Sequence, residues 1–297
     1  MTRPLKALEL FAGIGGFAAA AGERATIVGA IDISKHVLEV YEMNNDHGIH
    51  QLNLATLDAS DLEPFEADLW WMSPPCQPYT VRGHQKDLED HRAASLVNLL
   101  EIISELTPEN LAMENVQGFY DSQARQKLLE TLDKNGYEVR ERLLCTTELG
   151  VPAKRERYYM TASRTGLEPV GEPLRTERDK ISDYLIEDPD DALFISQAVL
   201  DKHGPGMRIV DIEDDEAITN CFTSAYGKTY RYSGSYFRHP DGRVRYADPN
   251  ELLALLHFPL PFHFPDSVTR KRRYKYIGNS LSVIAMKEIL RAFPAFS

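Results

Sequence analysis

Leu10-Phe11-Ala12-Gly13-Ile14-Gly15-Gly16-Phe17 follows a short apolar run, Ala7 to Phe11, and leads into an alanine-rich helical stretch. Glycines at the carboxyl end of a strand let the backbone come close to a ligand, as open α/β sheets do with nucleotide-like cofactors. Gly13, Gly15 and Ala18 fit the dinucleotide fingerprint loosely, and Asp32 stands about twenty residues on, where an acid can take ribose hydroxyls. A nucleotide-like cofactor is the first expectation. A glycine turn made for packing, or the loop of a dehydrogenase, are the rival readings of this stretch alone.

Outward from that loop, short apolar runs alternate with amphipathic ones. Ala7 to Phe11, Thr26 to Ile31, Leu69 to Met72 and Leu111 to Met113 read as strands with helical patterns between them. That rhythm implies a parallel sheet covered on both faces. Residues 166 to 264 break it with acidic loops, proline and glycine punctuation and aromatic, β-branched segments. Leu281 to Phe293 is helix-like again, so residues 1–165 and 265–297 are expected to form one domain and 166–264 a smaller second one.

The 297 residues leave little room for further domains, and 43% hydrophobic with 26% charged residues is an ordinary globular composition. No apolar run approaches membrane-spanning length, and the amino terminus lacks the pattern of a secretory signal, so a cytoplasmic protein without membrane association is expected. Cys76, Cys145 and Cys221 have no zinc-knuckle spacing, and an odd number argues against a disulfide framework. A functional cysteine here would act as a thiol, and no metal is called for. The net charge of −12 weighs against binding a polyanion. It hides local structure, however: Arg270 to Lys275 holds five basic residues, and Tyr226 to Arg245 interleaves Lys228, Arg231, Arg238, Arg243 and Arg245 with tyrosines. Solvated charged faces are the alternative for both runs.

Ser73-Pro74-Pro75-Cys76-Gln77-Pro78 comes directly after the strand Leu69 to Met72, which puts Cys76 at the sheet edge of the glycine loop. Hydride transfer has no use for a thiol held between prolines there, whereas a thiolate whose acidity is raised by positive charge is a strong nucleophile. Cys145, in an apolar segment, reads as a packing residue. Glu114-Asn115-Val116 ends another strand and projects a carboxyl over the same edge, where partial desolvation lets it stay protonated and donate to a ring nitrogen; a helix cap is the alternative. Arg155-Glu156-Arg157 places two arginines on one face of an extended segment, able to hold a base or phosphate oxygen and to favour the thiolate. A solvated strand edge is the other reading.

In this order the segments resemble the cytosine-5 methyltransferase family, over nearly the whole chain. Phe11 to Phe17 is similar to its cofactor loop, Pro75-Cys76-Gln77 to its nucleophile motif, Glu114-Asn115-Val116 to its acid motif and Gly278-Asn279-Ser280 to its last cofactor motif. The resemblance implies a doubly wound, Rossmann-like S-adenosylmethionine-dependent methyltransferase sheet with an inserted target-recognition domain. It implies cofactor contacts at Phe11, Ala12, Gly13, Gly15, Asp32, Ile33, Asn53, Leu54, Pro75, Asn279 and Ser280, with S-adenosylhomocysteine as product. Cys76 falls on the nucleophile, Glu114 on the cytosine-binding acid, and Arg155 and Arg157 on paired arginines. The polar stretch Thr80 to Arg92 is expected to act as a lid. Two departures stand out: Ala153 replaces the usual glutamine before the arginines, and Asn53 the common aspartate, though an amide oxygen accepts the same bond.

Asn220-Cys221-Phe222-Thr223-Ser224-Ala225-Tyr226-Gly227 resembles the signature of the family's tRNA-directed branch. The implied reaction is transfer of a methyl group to carbon 5 of an anticodon-loop cytosine, position 38, through a covalent Cys76 adduct. Cys221, Phe222, Thr223, Tyr226, Lys228, Arg231, Lys271 and Arg272 are then the expected tRNA contacts, on a monomer that binds the anticodon stem-loop. Aromatic residues among arginines suit stacking on loop bases. A DNA cytosine-5 methyltransferase is the alternative, with a non-catalytic nucleic-acid-binding relative as the second.

Overall fold

The computed structural model describes residues 4–80, 87–169, 171–175 and 177–296, so residues 81–86 of the expected lid lie outside the described residues. Two compact units make up the chain, Met1–Leu144 with Glu156–Glu172 and Met286–Ser297, and Cys145–Arg155 with Pro173–Ala285.

In the first unit the apolar runs become β1 (Leu5–Leu10), β2 (Ala25–Asp32), β3 (Ile49–Gln51), β4 (Leu69–Met72), β5 (Asn110–Val116), β6 (Glu138–Cys145) and β7 (Glu156–Ser163). Between them lie α1 (Gly16–Ala21), α2 (Lys35–Glu42), α3 (Ala59–Leu62), α4 (Ala94–Leu106) and α5 (Gln123–Lys134). Strand order is β3-β2-β1-β4-β5-β7-β6. β1 to β5 pair in parallel, and β7 lies antiparallel against β5, with Glu114 opposite Tyr159 and Val116 opposite Arg157. The expected parallel run β1–β5 thus meets the antiparallel β7, which delivers its first residues, rather than its last, to the edge where β5 ends.

β4 is buried along its whole length, as a strand covered on both faces must be. On one side Phe17 of α1 stacks on Trp71 with ring centroids 5.3 Å apart. On the other, Leu99 and Ile103 of α4 and Leu128 and Leu132 of α5 join Leu8, Met72, Met113 and Met160 in one apolar cluster.

The second unit holds α6 (Gln197–His203), β8 (Arg208–Asp211), β9 (Ser235–Arg238), β10 (Val244–Arg245), α7 (Pro249–Leu255) and α8 (Arg270–Asn279). Its sheet is ordered β10-β9-β8. A further helix, α9 (Val283–Leu290), follows α8. Residues 145–155 and 265–285, expected with the first domain, pack here. Tyr274 of α8 explains the latter: its ring lies 4.9 Å from that of Tyr226, and its hydroxyl donates to the Ala247 carbonyl. Helical periodicity shows that a helix forms, not which core it covers.

Candidate active site

The turn after β1 takes a backbone few residues tolerate. Phe11, Gly13 and Gly15 have φ of 59°, 55° and 86°, and strain at a non-glycine such as Phe11 gathers at functional sites. At Gly15 glycine is needed twice over, since a Cβ would also stand 2.8 Å from Asn45 Nδ2. Asp32, at the end of β2, fixes this turn: its carboxylate accepts from the Gly13 N–H at 3.0 Å and the Ser34 N–H at 2.8 Å. Burial pushes the Asp32 carboxyl above its ordinary range, against those two hydrogen bonds. Beside it Ile33 is 62% exposed, an apolar platform next to an acid. Asn53 is exposed, Leu54 buried, and Phe11 and Pro75 half-buried. A left-handed glycine turn, an acid with unspent lone pairs and an open apolar side chain fit a nucleoside: ribose hydroxyls on Asp32 and a base against Ile33.

The next two strands end at the same edge, with Met72 of β4 opposite Met113 of β5. Ser73 follows Met72 and donates its hydroxyl to the Phe11 carbonyl at 3.0 Å, tying the two loops together. Cys76 is half-buried and opens the turn Gln77–Tyr79, whose Tyr79 N–H returns to the Cys76 carbonyl at 3.0 Å. Glu114 is 7% exposed, and the Arg157 Nε lies 3.1 Å from its carboxylate. The guanidinium holds the Glu114 carboxyl in place at the end of β5. Asn115 is fully buried and donates to the Pro74 carbonyl at 3.2 Å, so acid strand and nucleophile loop are fastened directly to each other. Arg92 is gripped by Asp90 at 2.6 and 2.8 Å. That hydrogen bond chiefly raises the guanidinium above its ordinary value, and Cys76 contributes a smaller Coulombic part, which puts Arg92 within electrostatic reach of the thiol. Ser73, Asn115 as a clamp and Arg92 were not singled out from sequence: two of them bind backbone carbonyls, which leave no residue pattern.

Arg155 immediately precedes β7, which carries Arg157. It belongs to the second unit, is 5% exposed, and donates to the Ser280 carbonyl and to Cys221 Sγ, the latter at 3.6 Å. Asn279 is exposed at the end of α8 and Ser280 is buried. Thr223 is half-buried and its N–H meets the Ser233 carbonyl at 2.9 Å. Cys145 is half-buried at the end of β6, where its Sγ accepts from Thr147.

Tyr226, expected to touch tRNA, is 0% exposed, its hydroxyl donating to the Ser235 carbonyl and accepting from the Ala247 N–H. It is a core residue, because a ring in contact with Phe222, Tyr236, Tyr246 and Tyr274 has no free face. Phe222 is likewise buried. Arg245 also leaves the expected basic run: it forms a fully buried bidentate pair with Glu251 at 2.7 Å. Lys228, Arg231, Lys271 and Arg272 are exposed.

A sequence model of the family described as C-5 cytosine-specific DNA methylase matches residues 5–294. A Schizosaccharomyces pombe protein named tRNA (cytosine(38)-C(5))-methyltransferase is 32% identical, over 95% of this chain and 94% of that one. A Dictyostelium discoideum protein named DNA (cytosine-5)-methyltransferase is 29% identical, over 97% and 93%. The crystal structure of the S. pombe Dnmt2 methyltransferase superposes with a TM-score of 0.86 at 30% identity, over 97% of each chain. With a thiol in the loop after β4 and an acid on the adjacent β5, beside a nucleoside-shaped turn, and with this match along almost its full length, the chain belongs to the C-5 cytosine-specific DNA methylase family.

Proposed function

We propose that the protein transfers a methyl group from S-adenosylmethionine to carbon 5 of cytosine 38 in the anticodon loop of a tRNA. The observation that carries this reading is the fastening of Cys76 and the Glu114–Arg157 pair to one sheet edge, through Asn115 and Ser73. The S. pombe relative's name supports the substrate.

Carbon 5 of cytosine is too weak a nucleophile to take a methyl group unaided, so electrons must first be pushed into the ring. Cys76 Sγ supplies them by adding to carbon 6. Glu114 holds ring nitrogen 3 and the exocyclic amine, and Arg157, already paired with it, steadies the base carbonyl as charge develops. Phe11, Gly13, Asp32, Ile33 and Asn53 would hold S-adenosylmethionine, which would supply an electrophilic methyl group for carbon 5 to attack and leave as S-adenosylhomocysteine. Carbon 5 then gives its proton to solvent water as the bond from carbon 6 to Cys76 Sγ breaks, restoring the ring and the thiolate. The base must leave its stack to reach this edge, and a loop base does so at lower cost than a duplex base. The second unit is the target-recognition part, with Lys228, Arg231, Lys271 and Arg272 on tRNA phosphates; the protein acts as a cytoplasmic monomer.

DNA is the second reading, favoured by the Dictyostelium relative's name. Incubating total tRNA and cytosine-rich duplex DNA side by side with labelled cofactor separates the two. Label is expected in tRNA at cytosine 38; label confined to DNA would overturn the assignment.

A further inference from the structure

β6 reads Glu138-Val139-Arg140-Glu141-Arg142. Period two sends Glu141 to one face of the sheet, where it meets Arg125 at 2.6 Å and the Tyr158 hydroxyl, and Arg140 and Arg142 to the other. On that other face lies a cavity of about 180 Å³, several times the roughly 30 Å³ share of one water. Tyr159 and Thr161 of β7, both buried, contribute to its wall together with Arg140, Arg142, Glu288 and Arg291. All of these belong to the first unit.

The arginines are held in place before any ligand arrives. The buried Glu288 carboxylate takes Arg142 Nη1 at 3.2 Å and Arg291 Nη1 at 3.0 Å. Arg140 Nη1 holds the Glu168 carbonyl, and Arg291 Nη1 the Glu172 carbonyl at 2.6 Å. Among the described residues, Arg291 Nε and Nη2 and Arg140 Nε have no acceptor. Three guanidiniums against the carboxylates of Glu168 and Glu288 leave the lining net positive, in a chain whose overall charge is −12. Preorganised guanidinium forks with unspent donors, approaching from a strand on one side and a helix end on the other, match a tetrahedral acceptor.

We propose that this cavity binds a phosphate group. Its floor continues the row on which Arg157 meets Glu114, since Tyr159 and Thr161 follow Arg157 at alternate positions of β7, but it is distinct from the site assigned to the cytosine. The phosphate comes either from a small phosphorylated molecule or from the backbone of the RNA. The proposal does not depend on which base is methylated.

Thermal unfolding of the full chain in potassium phosphate, against potassium chloride at equal ionic strength, tests it. Phosphate is expected to raise the melting temperature beyond chloride in the parent, and not in the double variant Arg140→Gln/Arg291→Gln. Filter binding then identifies the source. A fall of about tenfold in tRNA affinity in the double variant, together with competition by phosphate, assigns an RNA phosphate; unchanged tRNA affinity with the phosphate response lost assigns a small molecule. Should the double variant fail to fold, Arg140→Gln alone carries the comparison, because its guanidinium holds one backbone carbonyl and the part-exposed Glu138 carboxylate at 3.8 Å. Equal melting temperatures in phosphate and chloride for the parent, or an undiminished phosphate response in the variants, would overturn the proposal.

Discussion

Glu9 sits on β1 directly beneath the glycine turn, fully buried, accepting from the Tyr41 hydroxyl at 2.7 Å and the Phe17 N–H at 3.1 Å. Burial outweighs both bonds and pushes its carboxyl from 4.5 up to about 8. The folded chain therefore holds this proton where the unfolded chain has lost it. Stability from the neutral acid is complete below about 4.5 and drains away as the pH rises to about 8, with a slope of at most about 1.4 kcal/mol per pH unit. Urea unfolding at pH 5 and pH 8 is expected to show this loss in the parent and a shallower one in Glu9→Gln; equal slopes would remove Glu9 as its source. Asp32→Ala is expected to loosen the Gly13 turn and weaken S-adenosylmethionine binding at least tenfold, as loss of charge-assisted hydrogen bonds does, which calorimetry reads directly. Cys76, Glu114 and Asp32 were legible in the sequence, because each follows a strand in a short motif. Glu9, flanked by apolar residues in β1, gave no such signal. Tyr226 was misread for a related reason: a tyrosine among arginines looks the same in sequence whether its ring faces RNA or four other rings.

At the scale of elements, the turn Gln117–Asp121 after β5 passes so close to the nucleophile loop that a Cβ on Gly118 would stand 2.3 Å from the Tyr79 carbonyl oxygen. Gly118→Ala must therefore displace Tyr79 and the Cys76 turn with it. A drop in kcat of about tenfold or more is expected, the usual consequence of misplacing a reacting group, with cofactor affinity retained; unchanged kcat would show that the loop absorbs the shift. In the second unit, α7 brings Glu251 to Arg245, both 0% exposed. Removing one partner of a buried ion pair strands the other charge, so Glu251→Ala is expected to cost about 3–5 kcal/mol in denaturant unfolding. Periodicity located most of these elements. It could not show that β7 runs antiparallel, since strand direction depends on pairing partners distant in sequence.

For the whole molecule, the net charge of −12 and the proposed tRNA substrate are reconciled by segregation: Lys271 and Arg272 are exposed on α8, while Arg245 and Arg155 are buried. Charge reversal at Lys271 and Arg272 is expected to lower tRNA affinity and flatten its dependence on salt, because fewer counterions are released; an unchanged salt slope would move the contact elsewhere. The glycine loop and the order of motifs made the doubly wound sheet legible. The packing of residues 145–155 and 265–285 with the second unit was not, because local pattern carries no record of which core a segment joins. The central claim is that Cys76 is the nucleophile in a methyl transfer to cytosine. A tRNA carrying 5-fluorocytosine at position 38 cannot lose its carbon 5 substituent as a proton, so the adduct should persist once the methyl group is transferred. Mass spectrometry of the trapped complex should map that adduct to Cys76 and find none in Cys76→Ala, which should still bind cofactor; an adduct on Cys221, or full turnover by Cys76→Ala, would contradict the account.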